Sequence, residues 1–94
     1  MNSEFEWDPV KAAANQTKHS VSFVEAATVF FDPLSITVAD PGHSIDERRF
    51  VITGLSYQRR ALVVVHVDRG ERIRIISARR ATPAEREKYE SGAE

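Results

Sequence analysis

Residues 71–90 read ERIRIISARRATPAEREKYE and contain a strand, a stop and a helix in succession. Arg72, Ile73, Arg74 and Ile75 alternate charged and apolar until Ile76 breaks the pattern, as in a strand with one face in a core and the other partly open. Thr82, Pro83 and Glu85 then read as N-cap, first-turn proline and the N3 acid of a capping box. Between these elements Arg79 and Arg80 mark where the strand ends and the chain turns. Five arginines lie between Arg69 and Arg80 against one acid, Glu71, the densest positive patch in the chain. Arginine offers a planar fork of donors matched to phosphate and keeps its charge near neutral pH. The bland counterpart is a solvated strand edge whose positive charge blocks aggregation.

Upstream of this stretch, Arg49 to Leu55 and Ala61 to Val67 read as two further strands. The connections Ser56 to Arg60 and Asp68 to Glu71 are short, which predicts an antiparallel meander. Leu62 to Val65 is apolar on both faces and belongs in the centre. A first strand, Ser35 to Val38, precedes a polar loop from Asp40 to Asp46. The N-terminal part is helical. Asp8 caps a helix with Pro9 in its first turn, and Val10, Ala13, Ala14, Thr17 and Val21 fall at helical spacing opposite Lys11, Asn15 and Lys18. This helix stops near His19-Ser20. Ser22 and Glu25 form a second capping box, with Phe23, Ala26, Ala27 and Phe30 on one stripe until Asp32-Pro33. Glu4 to Trp7 alternates and is a possible extra short strand. The expected fold is α+β, with two N-terminal helices, a four-stranded antiparallel meander and a C-terminal helix, in a single domain spanning residues 1–94.

The composition, 41% hydrophobic and 29% charged over 94 residues, suits one small globular core. No apolar run approaches membrane-spanning length, and the acidic, polar start MNSEFEWD is unlike a signal peptide. The expectation is a cytoplasmic protein. The absence of cysteine excludes disulfides, thiolate metal sites and cysteine nucleophiles. At a net charge of -1, any nucleic-acid binding must come from locally placed charge.

His19, His43 and His66 fit no compact metal motif, so no metal site is expected. A solvated loop residue accounts for His43, and a satisfied histidine at a core edge for His66. His19 lies beside Lys18 at a helix C-terminus, where a cation suits the dipole; its functional reading is a general acid or base. No Gly-x-Ser-x-Gly elbow, glycine-rich phosphate loop or carboxylate pair stands out, and the capping box explains Glu25. RNA cleavage by attack of its own 2′-hydroxyl needs a proton acceptor, a proton donor and cations around the phosphate, with no metal or cofactor. An arginine-rich sheet suits this, with Trp7 or Tyr89 as stacking partners, although Trp7 is better read as a core aromatic. On residues alone, a ribonuclease and a passive RNA- or protein-binding domain stand level.

Longer motifs add a resemblance. Phe5-Glu6-Trp7-Asp8-Pro9-x-Lys11-Ala12-x-x-Asn15-x-x-Lys18-His19, followed by Val21-Ser22-Phe23-x-Glu25-Ala26, resembles the N-terminal motif of BrnT toxins. Glu47-x-Arg49-Phe50-x-x-x-Gly54, Arg74-Ile75-Ile76-Ser77-Ala78-Arg79-x-Ala81 and Glu85-Arg86 with Tyr89 resemble the later ones. Ser20 stands where the family usually has glycine, and His66 where it has an aromatic. The resemblance implies a RelE-like fold and a type II toxin that cleaves RNA and stops translation. It also implies neutralisation by a BrnA-type antitoxin with a ribbon-helix-helix part, the complex binding operator DNA. The alternative is a catalytically silent module within such a repressor complex. The candidate catalytic residues are Arg49, Arg74, Arg79 and His19; Lys18, Arg72 and Arg80 are candidate RNA contacts. An acidic segment of the antitoxin is expected to cover the arginine strand.

Strand register decides which arginines meet. With Arg69 and Gly70 at the turn tip, Val67 faces Arg72 and Val65 faces Arg74. Leu62, Val64, His66, Ile73, Ile75 and Ser77 then lie under the helices, opposite an open face of Val63, Val65, Val67, Arg72, Arg74 and Ile76. Burying Phe50 and Ile52 with Leu62 and Val64, at about 1.5–3 kcal/mol per side chain, puts Arg49 on the open face and Arg48 away from it. Strict alternation favours Arg80 there and the family motif Arg79; a strand end or a bulge near Ser77-Ala78 reconciles them.

Overall fold

A computed structural model of the chain describes residues 4–40, 42 and 48–92. The expected polar loop lies largely outside the described residues, as do His43 and Glu47. The elements are β1 (Phe5–Glu6), α1 (Pro9–His19), α2 (Phe23–Thr28) with a 3-10 turn (Val29–Phe31), β2 (Ile36–Ala39), β3 (Arg49–Leu55), β4 (Ala61–Arg69), β5 (Arg72–Arg80) and α3 (Pro83–Glu90). The sheet order is β1-β5-β4-β3-β2, with β1 parallel to β5 and the other pairs antiparallel. The extra N-terminal strand thus exists, and it makes the sheet five-stranded and mixed. The doubly apolar β4 lies at the centre, between β5 and β3, with Leu62 and Val64 buried on one face and Val63 and Val67 on the other.

The β4–β5 turn is tighter than expected. Arg69 pairs with Arg72, so Gly70 and Glu71 form the tip, and Gly70 adopts the left-handed φ of 64° that such a turn needs. Val67 therefore faces Arg74 rather than Arg72. The shift is two residues, an even number, so the side chains of β5 up to Ile75 keep their expected faces. The ladder then slips. His66 pairs with Ile75 but Val65 with Ser77, leaving Ile76 as the extra residue. The bulge lies earlier than Ser77-Ala78 but has the expected effect, since Arg79 now faces Val63 while Ala78, not Ser77, enters the core.

That core lies between the sheet and α1–α2, with Val21, Phe23, Ala26, Val29, Ile52, Leu62, Val64, Ile75 and Ala78 at its centre. Trp7 packs against it, edge-on to Phe23, as a core aromatic should. Asp8 caps α1 by accepting from the Val10 N–H at 2.8 Å. At its other end Ser20 takes a left-handed φ of 59°, which explains why glycine suits that position.

Four expectations are corrected. First, α1 turns its other side inward: Asn15 is buried, whereas Val10, Ala13, Ala14 and Thr17 are exposed. Second, Ser22 caps α2, but the Glu25 carboxylate does not complete a box. It is buried and binds Arg60 Nε at 2.9 Å and Ser56 Oγ at 2.6 Å. Third, His66 is not satisfied. It is 5% exposed, neither ring nitrogen has a hydrogen-bond partner among the described residues, and it sits between Phe50 and Phe30. Fourth, α3 lies on the opposite face of the sheet from α1 and α2, so one end of the open face is covered.

Candidate active site

The uncovered face is organised by cross-strand rows. Arg49 on β3 and Arg74 on β5 both pair with Val67 on β4, so Arg49, Val67 and Arg74 form one row. Their backbones are two strand spacings apart, roughly 10 Å, a gap that two long side chains can close from both sides. The expected β3 register thus holds, with Phe50 opposite His66 and Ile52 opposite Val64 on the helical side. Arg48 lies over the Phe50 ring at 5.3 Å, away from the open face. Thr53, Val63 and Arg79 form a parallel row four β4 residues further on, roughly 13 Å away.

Acids hold Arg74 and Arg79 in place. β1 brings Glu6 beside Arg74, where its carboxylate accepts from Arg74 Nη1 at 3.0 Å and lies 4.0 Å from Arg72 Nε. Arg79 donates two parallel bonds to Glu85 at 2.9 Å. Glu85 also completes the capping box of α3, accepting from the Thr82 N–H at 2.8 Å while its own N–H donates to the Thr82 hydroxyl. One carboxylate thus starts the helix and aims the arginine. The Arg79 guanidinium and the Thr82 N–H bring the Glu85 carboxyl down to about 2. Such an anion is a clamp and a poor proton acceptor near neutral pH.

A cleft of about 240 Å³ separates α3 from the sheet, lined by Val51, Thr53, Val63, Arg79, Lys88 and Tyr89 among others. Its far wall is held by Asp32, which accepts from the Tyr89 hydroxyl at 2.5 Å, the Leu55 N–H at 2.8 Å and the Leu34 N–H at 3.0 Å. Burial opposes the Asp32 charge, but these donors outweigh it and its carboxyl stays below the usual range. Burial and Asp32 push the Tyr89 phenol up to about 12. Tyr89 is therefore a buried strut along the cleft.

The edge of β5 carries the second cationic group. β1 covers this edge only as far as Arg74. Past the bulge Asn15 takes over: its amide donates to the Ala78 and Val21 carbonyls at 2.8 and 2.9 Å, and its oxygen accepts from the Ala78 N–H at 3.1 Å. This anchors the end of α1, so that Lys11, Lys18 and His19 line a shallow depression with Ile76 and Ser77, between Arg74 and Arg79 along the strand.

The structure therefore brings Arg49, Arg72, Arg74 and Arg79 to one face and Lys18 and His19 to its rim. It separates Arg80, which pairs with Leu62 and points to the helical side. Sequence pattern alone does not assign Glu6, Glu85, Lys88 and Asn15 to this site; the signal for Glu85 is its capping box, and for Asn15 its place in the N-terminal motif. No cluster of three or more potential metal ligands occurs among the described residues, and none of their helices is long and apolar enough to cross a membrane.

Comparisons with known proteins agree with this architecture. A search of curated proteins finds no match. The 1.1 Å crystal structure of the Brucella abortus ribonuclease toxin, BrnT, is similar in fold, with a TM-score of 0.61 over 83% of this chain and 95% of that one at 20% identity. A family model described as "Ribonuclease toxin, BrnT, of type II toxin-antitoxin system" matches residues 7–85, most of the chain. The chain therefore belongs to the BrnT family of ribonuclease toxins of type II toxin–antitoxin systems.

Proposed function

We propose that the open face of the sheet is a metal-independent endoribonuclease site that cuts RNA and thereby stops translation in the cytoplasm. The observation that carries this reading is the convergence of Arg49 and Arg74 in one row, with Arg79 turned to the same face by the Ile76 bulge. In the reaction the 2′-oxygen attacks the adjacent phosphorus and the bond to the 5′-oxygen breaks, leaving a cyclic phosphate. His19, at the rim, exchanges protons with the reacting oxygens. The 2′-hydroxyl proton passes to a basic group and the leaving oxygen receives one from an acidic group. Arg49, Arg74 and Arg79 stabilise the charge that builds on the phosphoryl oxygens. Lys18 and Arg72 contact the flanking backbone. Glu6 and Glu85 keep the guanidinium groups in position until phosphate oxygens replace the carboxylates as acceptors.

The antitoxin in this reading is of the BrnA ribbon-helix-helix type, reaches operator DNA only as part of the complex, and lays an acidic segment over the arginine strand. Purified protein with labelled RNA tests the catalytic part. Arg49→Ala, Arg74→Ala and Arg79→Ala should each abolish most cleavage while circular dichroism stays unchanged, and Arg48→Ala should cut like the parent. Cleavage should persist in EDTA. Full activity in all three variants, or loss in EDTA with recovery on adding a specific divalent ion, would refute the site.

A further inference from the structure

A second basic surface lies away from the open face, where the Ser56–Arg60 turn meets the start of α3. Arg59, Arg80 and Arg86 line one concavity of about 220 Å³. All three are exposed, and none is ion-paired with a described residue. They differ in this from their neighbour Arg60, whose guanidinium is committed to Glu25 and to the Ser20 carbonyl. Arg59 is placed by a left-handed backbone, φ 63°, at the turn. It also lines the adjoining depression, together with Phe31 and Tyr57. Both residues are 66% exposed, among the most open large apolar side chains of the described residues.

We infer that Phe31, Tyr57, Arg59, Arg80 and Arg86 form a track for single-stranded RNA outside the cleavage site. Unpaired guanidinium groups bind backbone phosphates, and exposed aromatic faces stack unpaired bases without regard to sequence. An acidic protein segment would use the arginines but has no need of two open rings beside them, so the combination favours RNA. The position deepens the nuclease reading, on which it rests: Arg79 and Arg80 are consecutive but point to opposite faces of β5. A strand cut at the open face can continue past the sheet end onto this track. Here Arg80 finds the role that the open face does not offer it.

The test measures binding separately from cutting. Fluorescence anisotropy with a labelled single-stranded 2′-O-methyl RNA, which has no free 2′-hydroxyl to attack, reports affinity at several salt concentrations. The Arg59→Ala/Arg86→Ala double variant should lower the slope of log affinity against log salt by about 1.4, since each phosphate contact on a single strand contributes about 0.7. Tyr57→Ala, which keeps the backbone bond to Thr28, should weaken binding about fivefold or more. Thermal melting of each variant checks that it is folded, and single Arg86→Ala on the exposed side of α3 serves if the double variant is not. Unchanged affinity and slope would overturn the inference. So would variants that keep their RNA affinity but lose binding to a poly-glutamate peptide, which would make the surface a protein contact. If the parent binds the blocked RNA through this track but never cleaves the unmodified one, the nuclease reading fails and this inference stands.

Discussion

Asn15 is a polar residue on the buried side of α1, and its removal should destabilise the protein more than loss of any surface ion pair. Its amide makes three buried hydrogen bonds, at 2.9, 2.8 and 3.1 Å, two of them to the N–H and C=O of Ala78. A neutral buried bond is worth about 1 kcal/mol, and stranding a buried partner costs about 1–3 kcal/mol. Asn15→Ala strands the Ala78 N–H and leaves two carbonyls short of a donor, so the expected loss is about 3 kcal/mol. With a urea m-value of about 1.5 kcal/mol/M the midpoint should fall by about 2 M. The isosteric Asn15→Asp separates polarity from shape, since it puts an oxygen where the amide nitrogen faces two carbonyls. It should be worse than alanine at pH 7. Burial and carbonyl oxygens raise the folded pKa of such an aspartate, so the variant should regain stability as pH falls and a proton restores one donor. Urea titrations of the three proteins at pH 7 and pH 4.5 decide the matter. An Asn15→Ala midpoint within about 0.3 M of the parent, or an aspartate as stable as asparagine at pH 7, would show that the α1–β5 bonds do not hold the sheet edge.

Other perturbations follow from single contacts. Burial lowers the folded pKa of His66, so the native state favours the neutral ring. Stability should hold above the unfolded value near 6.5 and fall below it; His66→Phe should flatten that acid limb, and equal pH slopes in both proteins would rule the cause out. Gly54→Ala places a Cβ at 2.9 Å from both Asp32 Oδ2 and Ser35 Cβ. A loss of about 1–3 kcal/mol is expected in chemical denaturation, and none would mean that the turn yields freely. Glu25→Ala leaves Ser56 without its acceptor and Arg60 with only the Ser20 carbonyl, and urea denaturation should show a loss of about 3 kcal/mol; the lower end of the measured range applies because Arg60 stays partly in solvent. Glu85→Gln removes the Arg79 clamp, which is partly exposed. Stability should change by under about 1 kcal/mol, while RNA cleavage drops because Arg79 is no longer aimed. Full cleavage in that variant would argue against Glu85 as the positioning group.

The caps of α1 and α3 were legible in the sequence because each joins residues two or three positions apart, and so was the first half of the α2 cap. The β3 register was legible for a different reason. Sliding it by one residue would have exposed Phe50 and Ile52 and buried Arg49, and that difference in apolar burial is large enough to decide the pairing. From it followed the row shared by Arg49 and Arg74. The inward side of α1 was not legible. Val10, Ala13, Ala14 and Thr17 make an acceptable apolar stripe, but Asn15 is held by partners 6 and 63 residues away, which helical periodicity does not record. Glu25 fitted a local capping box just as well, and only the folded chain shows that Arg60, 35 residues on, takes its carboxylate. The bulge at Ile76 belongs to the same class. Local pattern flagged the break in alternation, but the shift became fixed only when β4, β1 and the Asn15 amide all demanded their own hydrogen bonds from β5. Alternation along one strand is a property of the backbone, whereas the face Arg79 occupies depends on which neighbours satisfy that backbone.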